Sequence, residues 1–231
     1  MKNLKVIIAA TLVAIAAVGS TQGMRMMGMG GGGSPTQLLY AGGGGFGRGG
    51  GGGGAPEVTL RADVSKELKI TDDQKTKIIA ARSGMGEKMR DVFQNSGGDR
   101  EAMQKGMADL MTAAEKEVNA LLTDGQKKRL KELWIQRQGN NAIQNEEIQK
   151  ELGFTDEQKE KVKDLNTKSM EAMQALFEKM RNQEIEREQM QESMAKNQEV
   201  MKTELGKILT TEQASKLKAM GGAAFTFDKD N

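Results

Sequence analysis

The 231-residue chain contains 29 Gly, 17 Met, two Pro and one Trp, and it has neither Cys nor His. Without Cys and His, the common zinc sites and the usual nucleophile–base pairs are excluded, so we expect no enzymatic activity, no cofactor and no metal site. From Glu57 onward the chain carries 30 bases against 32 acids. This balance argues against a nucleic-acid partner, which requires a clustered basic face.

Residues 1–23 have the pattern of a secretory signal peptide. Two lysines precede an apolar run from Val6 to Val18, and small residues follow it. The run of 13 residues is shorter than the ~20 that a membrane-spanning helix needs. The sequence therefore predicts export to the periplasm or beyond, with cleavage near residues 20–23 and no transmembrane anchor.

Residues 24–56 are rich in Gly and carry a cluster of Met. Such a composition does not support a packed core, so we expect a disordered linker here. The cluster of Met24, Met26, Met27 and Met29 also suggests a soft-metal site for Cu(I). Incidental Met in a low-complexity tail is the simpler interpretation.

From residue 57 onward one short motif, an apolar residue followed by Thr-x-x-Gln, occurs four times. Its Thr and Gln residues are Thr71 and Gln74, Thr123 and Gln126, Thr155 and Gln158, and Thr210 and Gln213. Each pair fits a capping box, in which the Thr hydroxyl and the Gln side chain satisfy backbone N–H groups at a helix start. The motif therefore predicts four helix starts.

The helical part is an internal duplication. Shifted by 84 residues, Val64–Asp72 lies over Ile148–Asp156, and Phe93 lies over Phe177. Beyond that point the offset becomes 87, so we expect an insertion between Phe177 and Met190, at a loop tip. The duplication predicts unit one at residues 57–141, unit two at residues 142–225 and a tail at 226–231.

Each unit predicts an elongated helical hairpin, so the fold class is all-α. A short helix ends at a capping box, a long helix runs to a turn, a second long helix returns, and a final helix follows the next box. In unit one the predicted helices begin near Val64 and at Asp72, the turn is Asn95–Gly98, and the final helix spans Asp124 to about Gln138. In unit two the corresponding elements are Glu147–Leu152, a long helix from Asp156 to about Met180, a polar turn, and Thr211–Met220.

Four apolar-Thr-x-x-Gln boxes around helical hairpins, behind a signal peptide, resemble the Spy/CpxP family of periplasmic proteins, which is named for its LTxxQ motif. The resemblance covers about residues 62–220. It implies an all-α fold in which hairpins pair into a thin cradle, either as a pseudo-dimer within this chain or as a homodimer. It also implies ATP-independent binding of unfolded envelope proteins or a role in envelope stress. The helical part of this chain is slightly acidic, unlike the basic concave surface of the family.

A Met/Phe stripe near the hairpin tips has two interpretations. A stripe with helical period usually fills a core, whereas Met on an open surface suits contact with varied unfolded chains. The residues that we select as candidates for client binding are Met89, Phe93, Met103, Met107, Met173, Phe177, Met190 and Met194. The sequence favours a chaperone-like binder of unfolded envelope proteins. The alternative is an adaptor for one specific envelope partner, and Met-based metal binding is a distant third.

Overall fold

The computed structural model describes residues 34–40 and 59–228, and within these ranges the protein is all-α. Nine α-helices lie in the described residues: α1 Ala62–Glu67, α2 Asp72–Ser83, α3 Met85–Asn95, α4 Arg100–Leu121, α5 Asp124–Gln138, α6 Glu146–Leu152, α7 Asp156–Arg181, α8 Arg187–Ile208 and α9 Thr211–Met220. Two short 3₁₀ helices, Pro35–Leu39 and Gly139–Gln144, precede α1 and α6. The predicted signal peptide and most of the predicted linker lie outside the described residues.

Two antiparallel hairpins form the long parts of the molecule. In unit one, α2 and α3 run outward and α4 returns beside them; in unit two, α7 runs outward and α8 returns. At 1.5 Å per residue, the 26 residues of α7 span roughly 39 Å. The turn of unit two, between Arg181 and Arg187, falls inside the predicted insertion. No described helix is both long enough and apolar enough to span a bilayer.

The outward arm of unit one is interrupted at Gly84, where the sequence predicts one unbroken helix to about Phe93. Gly84 separates α2 from α3, and an interruption at Gly is favoured because Gly is a weak helix former. Lys168 holds the equivalent position in unit two, where α7 is continuous. The two arms therefore differ in one local detail that the duplication alone does not predict.

Helix α5 joins the two units at the base of the hairpins. Leu133, Trp134 and Ile135 are all buried, so this helix is enclosed on more than one face. It packs against both 3₁₀ helices and against α9. Lys131 of α5 also donates to Glu147 and Glu151 of α6, at 2.6 Å in each case. The base is therefore a shared core rather than two separate ones.

Residues 34–40, which the sequence analysis assigns to the disordered linker, are ordered and packed. They form a 3₁₀ helix with Ser34 at its N-cap, and Leu38, Leu39 and Tyr40 are buried. Tyr40 pairs with Leu60 in an isolated antiparallel bridge. The physical reason is local: a Leu-Leu-Tyr run supplies enough apolar surface to dock, although glycine dominates the sequence around it.

The C-terminal residues also depart from the predicted division. Residues 225–228 leave unit two and pack against unit one. The side-chain amide of Gln136 donates to the carbonyls of Gly221 and Ala223, and its oxygen accepts from the N–H of Phe225 at 3.0 Å. The rings of Phe225 and Phe227 meet edge to face at 4.9 Å. The predicted tail is thus, up to Asp228, part of the folded base.

Candidate functional site

All four predicted capping boxes form. In each, the Thr Oγ1 accepts from the Gln backbone N–H at 3.2–3.3 Å. The Gln Oε1 accepts from the Thr backbone N–H at 2.9–3.1 Å. The boxes begin α2, α5, α7 and α9, so they fix where both hairpins leave the base.

The two boxes of unit one are also bonded to each other, which the sequence analysis does not predict. Gln74 Nε2 donates to Gln126 Oε1 at 2.8 Å, and Gln126 Nε2 donates to Gln74 Oε1 at 3.0 Å. The same nitrogens donate to the carbonyls of Leu121 and Leu68, which lie at or next to the ends of α4 and α1. Each side-chain amide therefore hydrogen-bonds to backbone groups at the start of one helix and near the end of another.

Unit two repeats this arrangement. Gln158 Nε2 donates to Gln213 Oε1 at 2.7 Å and to the carbonyl of Ile208 at 2.9 Å. Gln213 Nε2 donates in return to Gln158 Oε1 at 3.1 Å and to Leu152 at 3.4 Å. A signal for this pairing is present in the sequence: the fourth box residue is Gln in all four copies. Glu would cap equally well but has no N–H to donate.

At the opposite ends of the hairpins, two of the candidate client-binding residues are exposed to solvent. Phe93 of α3 has 51% of its surface accessible, and Phe177 of α7, at the equivalent position, has 43%. Met180, one turn beyond Phe177, is 37% exposed; it belongs to the same Met/Phe stripe but is not among the eight selected candidates. In the described residues these three are the exposed large apolar side chains. We call them the tip residues.

The other candidates divide between partial and full burial. Met89, Met103, Met173 and Met194 are partly buried. Met107 and Met190 are buried, with 8% and 7% exposure, so in this structure these two candidates belong to the hairpin core and not to the open surface. They lie on the inner face of the returning helices, where a helical-period stripe packs against the outward arm. Close packing at Gly106, where an added Cβ would lie 2.8 Å from Val92 Cγ1, brings these faces together.

Some of the charged side chains on the hairpin surfaces form local pairs. Lys161 donates to Glu157 and Lys196 donates to Glu192, each at 2.7 Å and each four residues apart on its helix. The lysine partners hold the pKa values of both carboxyls below their usual range. In the described residues no three acidic side chains converge in an arrangement that would hold a metal ion.

One carboxyl at the base is in a different environment. Asp63, at the start of α1, is almost fully buried and pairs with the buried Arg61 at 2.8 Å. Hydrogen bonds from Arg61, and further ones from the backbone N–H groups of Asp228 and Val64, lower the pKa of Asp63 to about 2. The guanidinium of Arg61 also donates to the Asp228 carbonyl and lies 5.9 Å from the Phe227 ring centroid. This cluster ties the C-terminal segment to unit one.

One family model matches part of the chain. Residues 136–217 match a family described as a domain of unknown function, DUF4890. The matched segment runs from the end of α5 through most of α9, which is essentially unit two. No curated protein and no solved structure matches this chain.

Proposed function

We propose that the protein is an exported, non-enzymatic, ATP-independent chaperone that holds unfolded or partly folded envelope proteins through its hairpin tips. The observation that carries the proposal is the exposure of Phe93 and Phe177, at equivalent positions of two hairpins that share one base. Two equivalent apolar sites on one chain can bind two segments of the same unfolded client. Such bivalent contact raises affinity without a deep pocket at either site.

The surroundings of the tips fit weak and varied contacts. Phe177 and Met180 lie on one helix face among charged residues that include Glu178 and Lys179. Aromatic and Met side chains adapt to many apolar partners, while neighbouring charges keep the free protein soluble. The secretory pattern of residues 1–23 and the resemblance to Spy/CpxP proteins support an envelope location for these clients.

An aggregation assay tests the proposal. The mature chain, from about residue 24, is mixed without nucleotide with a chemically denatured test protein at equal molar ratio, and light scattering is followed. We expect the parent chain to suppress scattering and the variant Phe93→Ser/Phe177→Ser to lose most of this effect. Circular dichroism checks that the variant is still helical.

The matched control replaces polar neighbours on the same two turns, Gln94→Ser/Glu178→Ser. Both positions are exposed, so the control changes the same surface without removing apolar area. Equal suppression by parent and control, with loss in the Phe variant, supports the tips as the client surface. Absence of suppression by the parent chain would contradict the proposal and favour an adaptor that binds one envelope partner.

A further inference from the structure

Residues 34–40, which we call the plug segment, lie in a groove at the base of the first hairpin. The unit-one groove is formed by Ala81, Arg82 and Met85 on the outward arm and by Met111, Glu115 and Val118 on α4. The plug segment also packs against α5 and α1. It is therefore a short peptide that lies against helices α1 to α5.

Apolar packing and a small set of polar contacts in the described residues hold the plug segment. Leu38 and Leu39 are buried in the core, and Tyr40 packs beneath the Arg82 guanidinium, which lies 5.0 Å from its ring centroid. The Leu39 carbonyl accepts from the Arg61 N–H at 2.8 Å, and the Ser34 hydroxyl donates to the Glu115 carboxylate. Two leucines, one aromatic ring and one backbone bond form a recognition pattern that another polypeptide can reproduce.

The comparison with unit two shows what is unusual about the plug segment. There, the 3₁₀ helix Gly139–Gln144 fills the equivalent place before α6, and a single residue, Asn145, separates it from that helix. In unit one, residues 41–58 intervene between the plug segment and Thr59, although Tyr40 and Leu60 lie side by side. The plug segment is thus joined to unit one through 18 residues, whereas one residue makes the corresponding connection in unit two.

The groove is also incompletely filled. A pocket of about 110 Å³, partly open to solvent, lies between the plug segment and the two arms and is lined in part by Thr36, Tyr40, Met85 and Glu115. The vacant volume means that the groove accommodates side chains larger than those of the plug segment.

We propose that the unit-one groove is a binding site for short apolar segments of other polypeptides, with two adjacent leucines followed by an aromatic residue, and that the plug segment is its resident intramolecular ligand. A tethered ligand competes at an effective concentration of about a millimolar. An outside segment therefore binds only by displacing the plug. The unit-one groove is separate from the tip residues, so peptide binding to the groove and client binding by the tips are tested independently.

The test measures binding of a fluorescein-labelled peptide with the sequence of residues 34–40 to the full chain by fluorescence anisotropy. We expect weak binding to the parent chain and at least about fivefold tighter binding to Leu38→Ala, in which the resident competitor is weakened. A peptide with both leucines replaced by serine should not bind. The variant Phe93→Ser/Phe177→Ser should bind like the parent, which separates this site from the proposed client surface.

A cross-link gives a second measurement that does not depend on weakening the plug. The chain has no Cys, so Ser34→Cys/Glu115→Cys places two unique thiols at a contact between plug and groove. Joining them with a short cleavable cross-linker should abolish peptide binding, and cleavage should restore it. Peptide binding that is unchanged by the cross-link, or no binding to a folded Leu38→Ala chain at millimolar peptide, would overturn the proposal.

Discussion

The side-chain amides of Gln74 and Gln126 donate to each other across the base of the first hairpin, at 2.8 and 3.0 Å. Each oxygen also accepts from the Thr of its own box, and each nitrogen also donates to a carbonyl near the end of a neighbouring helix. Every polar position of both amides is therefore used. Because buried polar groups are costly when unpaired, we expect this pair to be sensitive to isosteric change.

Gln126→Glu separates the capping role from the pairing role. Glu keeps an oxygen for the Thr123 N–H but removes the donor, and it places an oxygen against the Leu68 carbonyl and Gln74 Oε1. We expect a loss of roughly 2–3 kcal/mol in the free energy of unfolding, measured by urea denaturation at pH 7. The loss should shrink below about pH 4, where the carboxyl regains a proton to donate.

Gln189→Glu serves as the control for that change. Gln189 caps α8 together with Glu186, and it is exposed with no partner box. We expect the control to cost less than about 1 kcal/mol. Equal effects of the two substitutions would show that pairing between boxes adds nothing to stability.

Asp63→Asn tests the cluster at the base. The folded-state pKa of Asp63 is about 2, below its ordinary value of 3.8. A carboxyl with a lowered pKa stabilises the fold above the unfolded-state pKa and loses that contribution as the pH falls through the folded-state pKa. We expect the variant to be less stable than the parent by roughly 2 kcal/mol at pH 7.

The difference should diminish between pH 4 and pH 2, as followed by chemical denaturation at several pH values. Asp109→Asn, at an exposed position of α4, should leave the free energy of unfolding nearly unchanged. A difference between parent and Asp63→Asn that is constant from pH 7 to pH 2 would contradict the assigned ion pair.

Replacement of two glycines of the first hairpin by Ala should change the stability of the fold in opposite directions. At Gly84 an added Cβ meets only the Ala80 carbonyl, at 3.8 Å, so Gly84→Ala should stabilise the fold by about 0.5–1 kcal/mol. At Gly106 the Cβ would overlap Val92, so Gly106→Ala should destabilise by about 1–3 kcal/mol. Thermal unfolding followed by circular dichroism measures both, and the same sign for the two variants would be inconsistent with the hairpin packing.

Two phenylalanines test the boundary between tip and core. Phe154 is only 7% exposed and belongs to the core of the base, whereas Phe93 is 51% exposed. Phe154→Ala should lower the free energy of unfolding by about 3–5 kcal/mol, and Phe93→Ala by less than about 1 kcal/mol. Comparable losses in denaturant titrations would mean that Phe93 is packed in solution and is not part of an open surface.

The helices and their starts could be predicted from sequence because they follow local rules. A Thr and a Gln three residues apart specify a cap through atoms of the same turn, and the predicted ends of α5 and α9 agree with the structure to the residue. The duplication also predicted where the turn of unit two lies. The offset between the two repeats changes from 84 to 87 residues between Phe177 and Met190, so the inserted residues lie in that interval.

The contacts that were missed are long-range. Gln74 and Gln126 are 52 residues apart, and no local pattern shows which box meets which. The packing of the plug segment was not predicted, because the glycine-rich sequence on both sides of its three apolar residues indicated a disordered linker. Whether a Met stripe is core or surface depends on how closely two arms approach, and at Met107 that distance is set by the missing side chain of Gly106.

The docking of Asp228 against Arg61 and Asp63 changes how the duplicated fold comes apart. Tandem helical repeats usually form open chains of neighbours that can fray from either terminus. Here the segment that follows the second repeat covers the first helix of the first repeat, at 2.9 Å between the Asp228 nitrogen and Asp63 Oδ2. The end of the second repeat therefore contacts the start of the first. Because unfolding of either repeat at the base exposes the core of the other, we expect all-or-none unfolding rather than stepwise loss of repeats.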